Sequence, residues 1–114
     1  MLDVSGFVET LVARHPQVET LYAAHLREHG VLFPEVLMGD VAHWYIEECA
    51  RGGSPEAKQL VDDLHALKSR GDDHVALLIC RSFLEKLDSK RGGVTFHLLN
   101  DWMKVSYDMV HGHL

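Results

Sequence analysis

Nine histidines in a chain of 114 residues make metal coordination the first chemistry to consider. Residues 25–29 read HLREH, which matches the H-x-x-E-H pattern of zinc proteases, where two histidines one helical turn apart bind the metal and the glutamate is the base. His25, Glu28 and His29 are therefore the candidate metal site. Gly30 ends the predicted helix directly after the motif, however, so we favour a structural role for both histidines and expect no bound cofactor.

A second pattern, Asp-x-x-His, occurs three times and places a carboxylate beside an imidazole on one helix face. The pairs are Asp40/His43, Asp62/His65 and Asp108/His111. All three fall on or beside the polar side of a predicted helix, whereas metal ligands in a helical bundle point inward. We interpret them as solvated pairs.

Signatures of nucleophilic catalysis and of phosphate binding are missing from the sequence. There is no G-x-S-x-G turn and no Cys–His signature, and Ser82 falls in the middle of a predicted helix. The glycine pairs at residues 52–53 and 92–93 lack the lysine and the preceding strand of a phosphate loop. We predict that the chain is not an enzyme.

The charges are distributed unevenly along the chain. Residues 1–50 contain two basic and eight acidic side chains, a net charge of −6, whereas residues 51–114 contain nine of each and are neutral. An acidic field attracts a basic protein and repels nucleic acid and anionic membranes. A contribution to solubility alone is the alternative reading of the same surplus.

The predicted partner-binding residues lie in or beside one helix. They are Glu35, Asp40, His43, Glu47 and Glu48. The first four are expected to face solvent. Glu48 instead falls inside the apolar arc, between Leu37 and Val41, where an ionised carboxylate needs a partner. We expect an ion pair with Arg51 or Arg81, with a binding site as the alternative.

The elements that position these residues are helices. Periodicity, caps and breaks predict about six of them and no confident strand, with a short extended piece at residues 95–98 as a minor alternative. The expected helices start at Asp3 or Ser5 and at Ser54-Pro55, and cover about residues 17–29, 35–51 and 94–111. The helix at residues 35–51 is either continuous or broken at Gly39. We expect the apolar loop at residues 30–33 to tuck under the bundle.

The central helix is predicted over residues 72–88. Its apolar residues cover more than half of the circumference, so it must contact neighbours on several sides. They are Val75, Ala76, Leu77, Ile79, Cys80, Phe83, Leu84 and Leu87. The predicted fold is all-α, an irregular helical bundle in which residues 1–114 form a single domain.

The compartment is predicted from what the sequence contains and lacks. Cys49 and Cys80 fall in predicted helices among apolar neighbours, which favours buried free thiols over a disulfide. No apolar run reaches the roughly 20 residues of a membrane helix, and the first ten residues carry an acid where an export signal has a basic segment. We expect a cytoplasmic protein.

Two stretches resemble a family of small bacterial all-helical proteins. They are LFPEVLMGD at residues 32–40, and GDD at residues 71–73 leading to SFLEKL at residues 82–87. That family is a domain of unknown function with members that look like immunity proteins, which neutralise a neighbouring secreted toxin. The resemblance spans roughly residues 21–87, implies a helical fold, and offers no catalytic residue.

The function expected from these observations is non-enzymatic protein binding. Its most concrete form is an immunity protein that neutralises a basic bacterial toxin through the acidic surface. The alternative is a small metal-binding bundle or metal-dependent enzyme that uses some of the histidines, and an adaptor or regulatory subunit is a third. The identity of the partner and the oligomeric state stay open.

Overall fold

The computed structural model describes residues 1–87 and 94–112. These residues form seven α-helices and one 3₁₀ turn, without a β-strand, which confirms the predicted all-α fold. The elements are α1 (Val4–Arg14), α2 (Pro16–His29), α3 (Pro34–Ala50), α4 (Pro55–Arg70), α5 (Asp73–Ser82), the 3₁₀ turn (Leu84–Lys86), α6 (Val94–His97) and α7 (Asp101–Val110). No helix in the described ranges has both the length and the apolar character that crossing a membrane requires.

The starts of α1 and α4 and the end of α2 follow the expected capping chemistry. The Asp3 carboxylate accepts a hydrogen bond from the backbone N–H of Gly6 at 2.8 Å, and the Ser54 hydroxyl accepts one from the N–H of Ala57 at 3.1 Å. Each side chain satisfies a backbone donor that the helix itself leaves unpaired. Gly30 ends α2 with φ at 76°, a left-handed conformation that favours glycine.

Helix α3 is one continuous helix that passes through Gly39 without a break. It packs against α2, α4, α5 and α6. The Tyr45 hydroxyl donates a hydrogen bond to the carbonyl of Thr95 at 2.7 Å, and its ring lies 5.3 Å from the ring of Phe83. Six side chains of α3 are buried, namely Leu37, Met38, Val41, Ala42, Tyr45 and Cys49. The inner side of α3 is therefore fixed in the core.

Helix α5 lies in the middle of the bundle, as predicted, but it is shorter than residues 72–88. The α-helix ends at Ser82 and the chain continues as the 3₁₀ turn, while Asp88 and the predicted break at residues 90–93 lie outside the described residues. The helix packs against α1, α3, α4 and α7. Its buried apolar arc is also narrower than predicted, because Leu77 is 53% exposed.

The last predicted helix is divided into α6 and α7. The Asn100 side chain accepts a hydrogen bond from the N–H of Met103 at 3.1 Å and so caps a new helix. The minor alternative of an extended piece at residues 95–98 is wrong, because residues 94–97 are helical.

The buried face of α7 differs from the predicted one. Asp108 was expected on or beside the polar side and is buried, whereas the apolar residues Val105 and Met109 are 54% and 65% exposed. The reason is Tyr107, whose ring packs 5.2 Å from that of Phe96. Successive residues are about 100° apart around a helix, so Val105 and Met109, two positions on either side of Tyr107, point to the opposite side.

The segment before α1 is attached to the junction of α4 and α5. The N–H of Leu2 donates to the carbonyl of Arg70 at 2.8 Å, and the N–H of Asp72 donates to the carbonyl of Leu2 at 2.9 Å. Leu2 and Gly71 thus form an isolated parallel bridge. A Cβ at Gly71 would lie 2.7 Å from the Val75 side chain, so the junction requires glycine.

Candidate functional site

The acidic stripe on α3 consists of Asp40, His43 and Glu47. All three are exposed, and their spacing of three and four residues places them on one helix face. The His43 Nε2 atom lies 3.0 Å from a Glu47 carboxylate oxygen. Because α3 contains no lysine or arginine, His43 is the only residue of this helix that can carry a positive charge beside the two carboxylates. The expected exposure of these residues is confirmed.

Val36 lies at the start of the same face, four residues before Asp40, and is 44% exposed. In the loop before α3, Val31 and Phe33 are also exposed. The loop at residues 30–33 was expected to tuck under the bundle, and this holds only for Leu32, which is partly buried against the core. The Phe33 N–H donates to the Nε2 atom of His25 at 2.9 Å, which anchors the backbone of the loop, while the side chains of Val31 and Phe33 stay at the surface.

Glu35 is exposed but lies apart from the stripe, at the edge of a cavity of about 310 Å³. We call it the α1–α3–α5 cavity, because it lies between the starts of α1 and α3 and one face of α5. It is lined by Val4, Glu35, His74, Leu77, Leu78, Arg81 and Ser82. Sequence reasoning missed this cavity. The available signal was the unbroken apolar run of residues 75–80, which is wider than one buried helix face.

Glu48 is held by an ion pair within the structure. Its side chain is 21% exposed, and its carboxylate lies 3.4 Å from the guanidinium of Arg51. The predicted pairing with Arg51 is confirmed. This contact explains the carboxylate inside the apolar arc, and no bound ligand is needed to explain it. Glu48 is therefore not counted among the residues of the acidic stripe.

The two histidine rings of the candidate metal motif lie next to each other at a tilt of 43°. His25 is buried, and its Nε2 lone pair already accepts the hydrogen bond from Phe33. The His29 ring lies 4.6 Å from the His25 ring, and the Glu28 carboxylate is 3.9 Å from His29 and largely exposed. In residues 1–87 and 94–112, no group of three or more His, Cys, Asp or Glu side chains is placed to hold a metal. The geometry thus favours the structural interpretation of this motif.

The three Asp-x-x-His pairs have different environments. Asp40 and His43 are exposed, as expected, and Asp62 is exposed and pairs with Lys58 at 3.0 Å. The third pair departs from the prediction, because Asp108 is buried and the His111 Nε2–H donates to the carbonyl of Leu84 at 3.0 Å. His113 lies outside the described residues.

A further polar cluster joins α1 and α2 to α4. Asp63 accepts hydrogen bonds from the guanidinium of Arg14 at 2.6 Å and from the Nε2–H of buried His15 at 2.8 Å. Sequence reasoning missed the cluster because His15 and Asp63 are 48 residues apart and no local pattern relates them. Its position between three helices indicates a structural role.

The buried titratable groups do not form a nucleophilic site. Burial raises the pKa of the Cys49 thiol and of the Cys80 thiol, and it raises the pKa of the Tyr45 hydroxyl. A catalytic thiol needs the opposite shift, because the thiolate is the reactive form. Both cysteines are free, with Cys49 buried and Cys80 partly buried.

Comparison with protein families identifies one match. A domain of unknown function, DUF7674, matches residues 8–109, and the chain belongs to this family. Neither the curated proteins nor the solved structures give a match.

Proposed function

We propose that this member of the DUF7674 family is a non-enzymatic protein that binds a basic protein through the acidic stripe. The observation that carries the proposal is the exposure of Asp40, His43 and Glu47 together on a helix without lysine or arginine. The most concrete form of this function is that of an immunity protein, which neutralises a basic bacterial toxin in the cytoplasm of the cell that makes it.

The support for this proposal begins with rigidity. Helix α3 buries six side chains on its inner side, so the stripe on its outer side is presented from a fixed backbone. Charges held in place before association lose little conformational freedom on binding. The His43–Glu47 contact further limits the rotamers of both side chains.

The charge distribution supports the proposal in a second way. All of the net charge of −6 arises in residues 1–50, the half of the chain that contains the stripe. Opposite charge accelerates diffusional association of two proteins, in favourable cases by a factor of about 10–1,000. An inhibitor that must capture a toxin quickly gains most from this effect.

The metal-dependent alternative receives no specific support from the geometry. Nε2 of His25, a nitrogen that would coordinate zinc, accepts the Phe33 N–H bond instead. His29 and Glu28 are exposed beside it and are the remaining members of the motif.

The experiment measures association kinetics with the protein encoded by the adjacent gene. The test variant reverses both acids of the stripe, Asp40→Lys with Glu47→Lys. The control variant makes the same charge change on α1 and α2, Glu9→Lys with Glu19→Lys, where both acids are also exposed. Measurements are made at about 10 mM and about 150 mM salt, where the Debye lengths are roughly 30 Å and 8 Å.

The expected result is an association rate that falls about tenfold or more for the stripe variant at low salt, with a smaller difference at high salt. The control variant should change the rate much less, and circular dichroism should show the same fold for both. An unchanged rate for the stripe variant, or an equal loss for the control, would exclude α3 from the interface.

A further inference from the structure

We infer that the α1–α3–α5 cavity is the anchor pocket for the partner, and that it receives one aliphatic side chain with a basic residue next to it. This inference rests on the proposed function and adds the contact that makes dissociation of the complex slow. The acidic stripe accelerates encounter, whereas a filled pocket slows dissociation.

The cavity is large enough to receive an apolar side chain, and part of its lining is apolar. Its volume of about 310 Å³ is at the lower end of ligand pockets, which span roughly 300–1,000 Å³. Val4, Leu77 and Leu78 provide apolar walls. Leu77 is 53% exposed, although it lies on the central helix of the bundle, so a side chain in the cavity would remove this leucine from water.

The charges around the cavity define what accompanies that side chain. Glu35 and Arg81 both line it, yet within the described part of the chain neither makes an ion pair or a side-chain hydrogen bond. Glu35 can pair with a lysine or arginine next to the aliphatic residue. Arg81 carries only hydrogen-bond donors, and these suit the backbone carbonyls of an inserted segment.

The cavity lies beside the proposed interface. Glu35 and Val36 are neighbours in the first turn of α3, and Val36 begins the face that carries the stripe at Asp40 and Glu47. Because adjacent residues are about 100° apart around a helix, a partner that lies along the stripe would reach the cavity by extending from Val36 around this turn to Glu35. Binding energy at protein interfaces concentrates in such pockets, where an apolar anchor is surrounded by polar contacts that exclude water.

The first test uses a peptide probe and needs no knowledge of the partner. The ¹⁵N-labelled protein is titrated with Ac-Lys-Leu-Lys-NH2, and with Ac-Lys-Ala-Lys-NH2 and Ac-Glu-Leu-Glu-NH2 as controls. We expect saturable shifts at the amides of Glu35, Leu77 and Leu78 with the first peptide, at a dissociation constant on the order of 1 mM. Each control should bind at least about tenfold more weakly. The alanine peptide lacks the anchor, and the glutamate peptide is repelled by Glu35 and by the net charge of −6 in residues 1–50, which outweigh the single charge of Arg81.

Equal binding of the leucine and alanine peptides, or shifts confined to the stripe, would overturn the inference, since charge alone would then explain binding. The variant Leu77→Ser should abolish the shifts at the cavity. Val105→Ser is the matched control, because Val105 is 54% exposed on α7 and lies outside the cavity.

The second test measures kinetics with the adjacent gene's product and separates the two proposals. We expect Leu77→Ser to raise the dissociation rate about tenfold or more with little change in association, and Val105→Ser to change neither. Normal kinetics for Leu77→Ser, together with slow association for the stripe variant, would refute the anchor pocket and retain the proposed function. Normal kinetics for both would refute both.

Discussion

The Nε2 atom of His15 lies 2.8 Å from a carboxylate oxygen of Asp63, and this contact fixes the junction of α1 and α2 to the middle of α4. His15 is the residue between the two helices and is buried. Arg14 bonds to the other oxygen of the same carboxylate. One carboxylate on α4 therefore sets the position of two helices.

Replacing this carboxylate is expected to destabilise the fold. Asp63→Ala leaves a buried imidazole without its acceptor, and we predict a loss of about 1–3 kcal/mol in the free energy of unfolding. Chemical denaturation followed by circular dichroism gives this quantity. The control is Asp62→Ala, which removes an exposed pair with Lys58 and should cost no more than about 0.5 kcal/mol. Equal losses for the two variants would contradict a structural role for the His15 contact.

The centre of the core is expected to tolerate truncation poorly. Ile79 and Phe83 are fully buried, so Ile79→Ala or Phe83→Ala should lower the free energy of unfolding by about 2–5 kcal/mol. Leu77→Ala, on the same helix but half exposed, should cost less than about 1 kcal/mol. Denaturant melts of the three variants provide the comparison. Losses below about 1 kcal/mol at both buried sites would show that α5 is peripheral.

Metal removal is predicted to leave the protein unchanged. His25 uses its Nε2 lone pair in the hydrogen bond from Phe33, so we expect no metal held by this motif to contribute to the folded state. Thermal melts of protein purified without a tag should give the same melting temperature with and without excess chelator. A fall of several degrees that one equivalent of zinc reverses would restore the metal interpretation of His25 and His29.

The stability of the protein is expected to fall in alkaline solution. Burial raises the pKa of the Cys49 and Cys80 thiols above the ordinary 9.0 and the pKa of the Tyr45 hydroxyl above 10.0. Above the ordinary values, the unfolded chain has released protons that the folded chain still holds. The contribution of these three protonated groups to stability is therefore complete at pH values below their ordinary pKa. It is lost as the pH rises from the ordinary pKa toward the higher pKa of the folded protein, by at most about 1.4 kcal/mol per pH unit for each group.

Unfolding free energies between about pH 7 and pH 10 test this dependence. A variant with Cys49→Ala and Cys80→Ala should show a shallower decline above pH 9.0 than the wild type, since the remaining tyrosine titrates later. Stability that is flat or rises over this range in the wild type would contradict the burial of these groups.

Glu48 and Glu47 are adjacent in sequence, but their reversal should have different effects. Glu48→Lys replaces an ion pair with repulsion from Arg51 in a mostly covered position, and we predict a loss of about 1–2 kcal/mol. Glu47→Lys, at a side chain that is 53% exposed, should change stability by less than about 0.5 kcal/mol. Thermal denaturation of the two variants gives the comparison, and equal stability would place Glu48 on the open surface.

The fold was largely predictable because its signals are local. Asp3 and Ser54 cap helices, Gly30 ends one, and apolar spacing marks the inner faces of α1 to α4, all within a few residues of sequence. The predictions fail where a contact with a residue far away in sequence determines which side of a helix is buried. Tyr107 takes the inner side of α7 because Phe96 packs against it, and this contact turns Val105 outward.

The candidate site was predictable in part for the same reason. The exposure of Asp40, His43 and Glu47 follows from helical periodicity, and the pairing of Glu48 with Arg51 follows from a spacing of three residues. The α1–α3–α5 cavity depends on how three helices meet, which periodicity does not specify. Glu35 was identified as an exposed acid, but its position at the edge of a cavity required the structure.

The bridge between Leu2 and Gly71 has a consequence for the order of events during protein synthesis. Leu2 cannot make its two hydrogen bonds until Arg70 and Asp72 have been added, roughly 4–14 s later at 5–20 residues per second. The helices between them form much faster, so α1 to α4 can be helical while the backbone of Leu2 is still bonded to water. The bridge then joins the first residues of the chain to the start of α5, the central helix, whose residues are synthesised directly after Asp72.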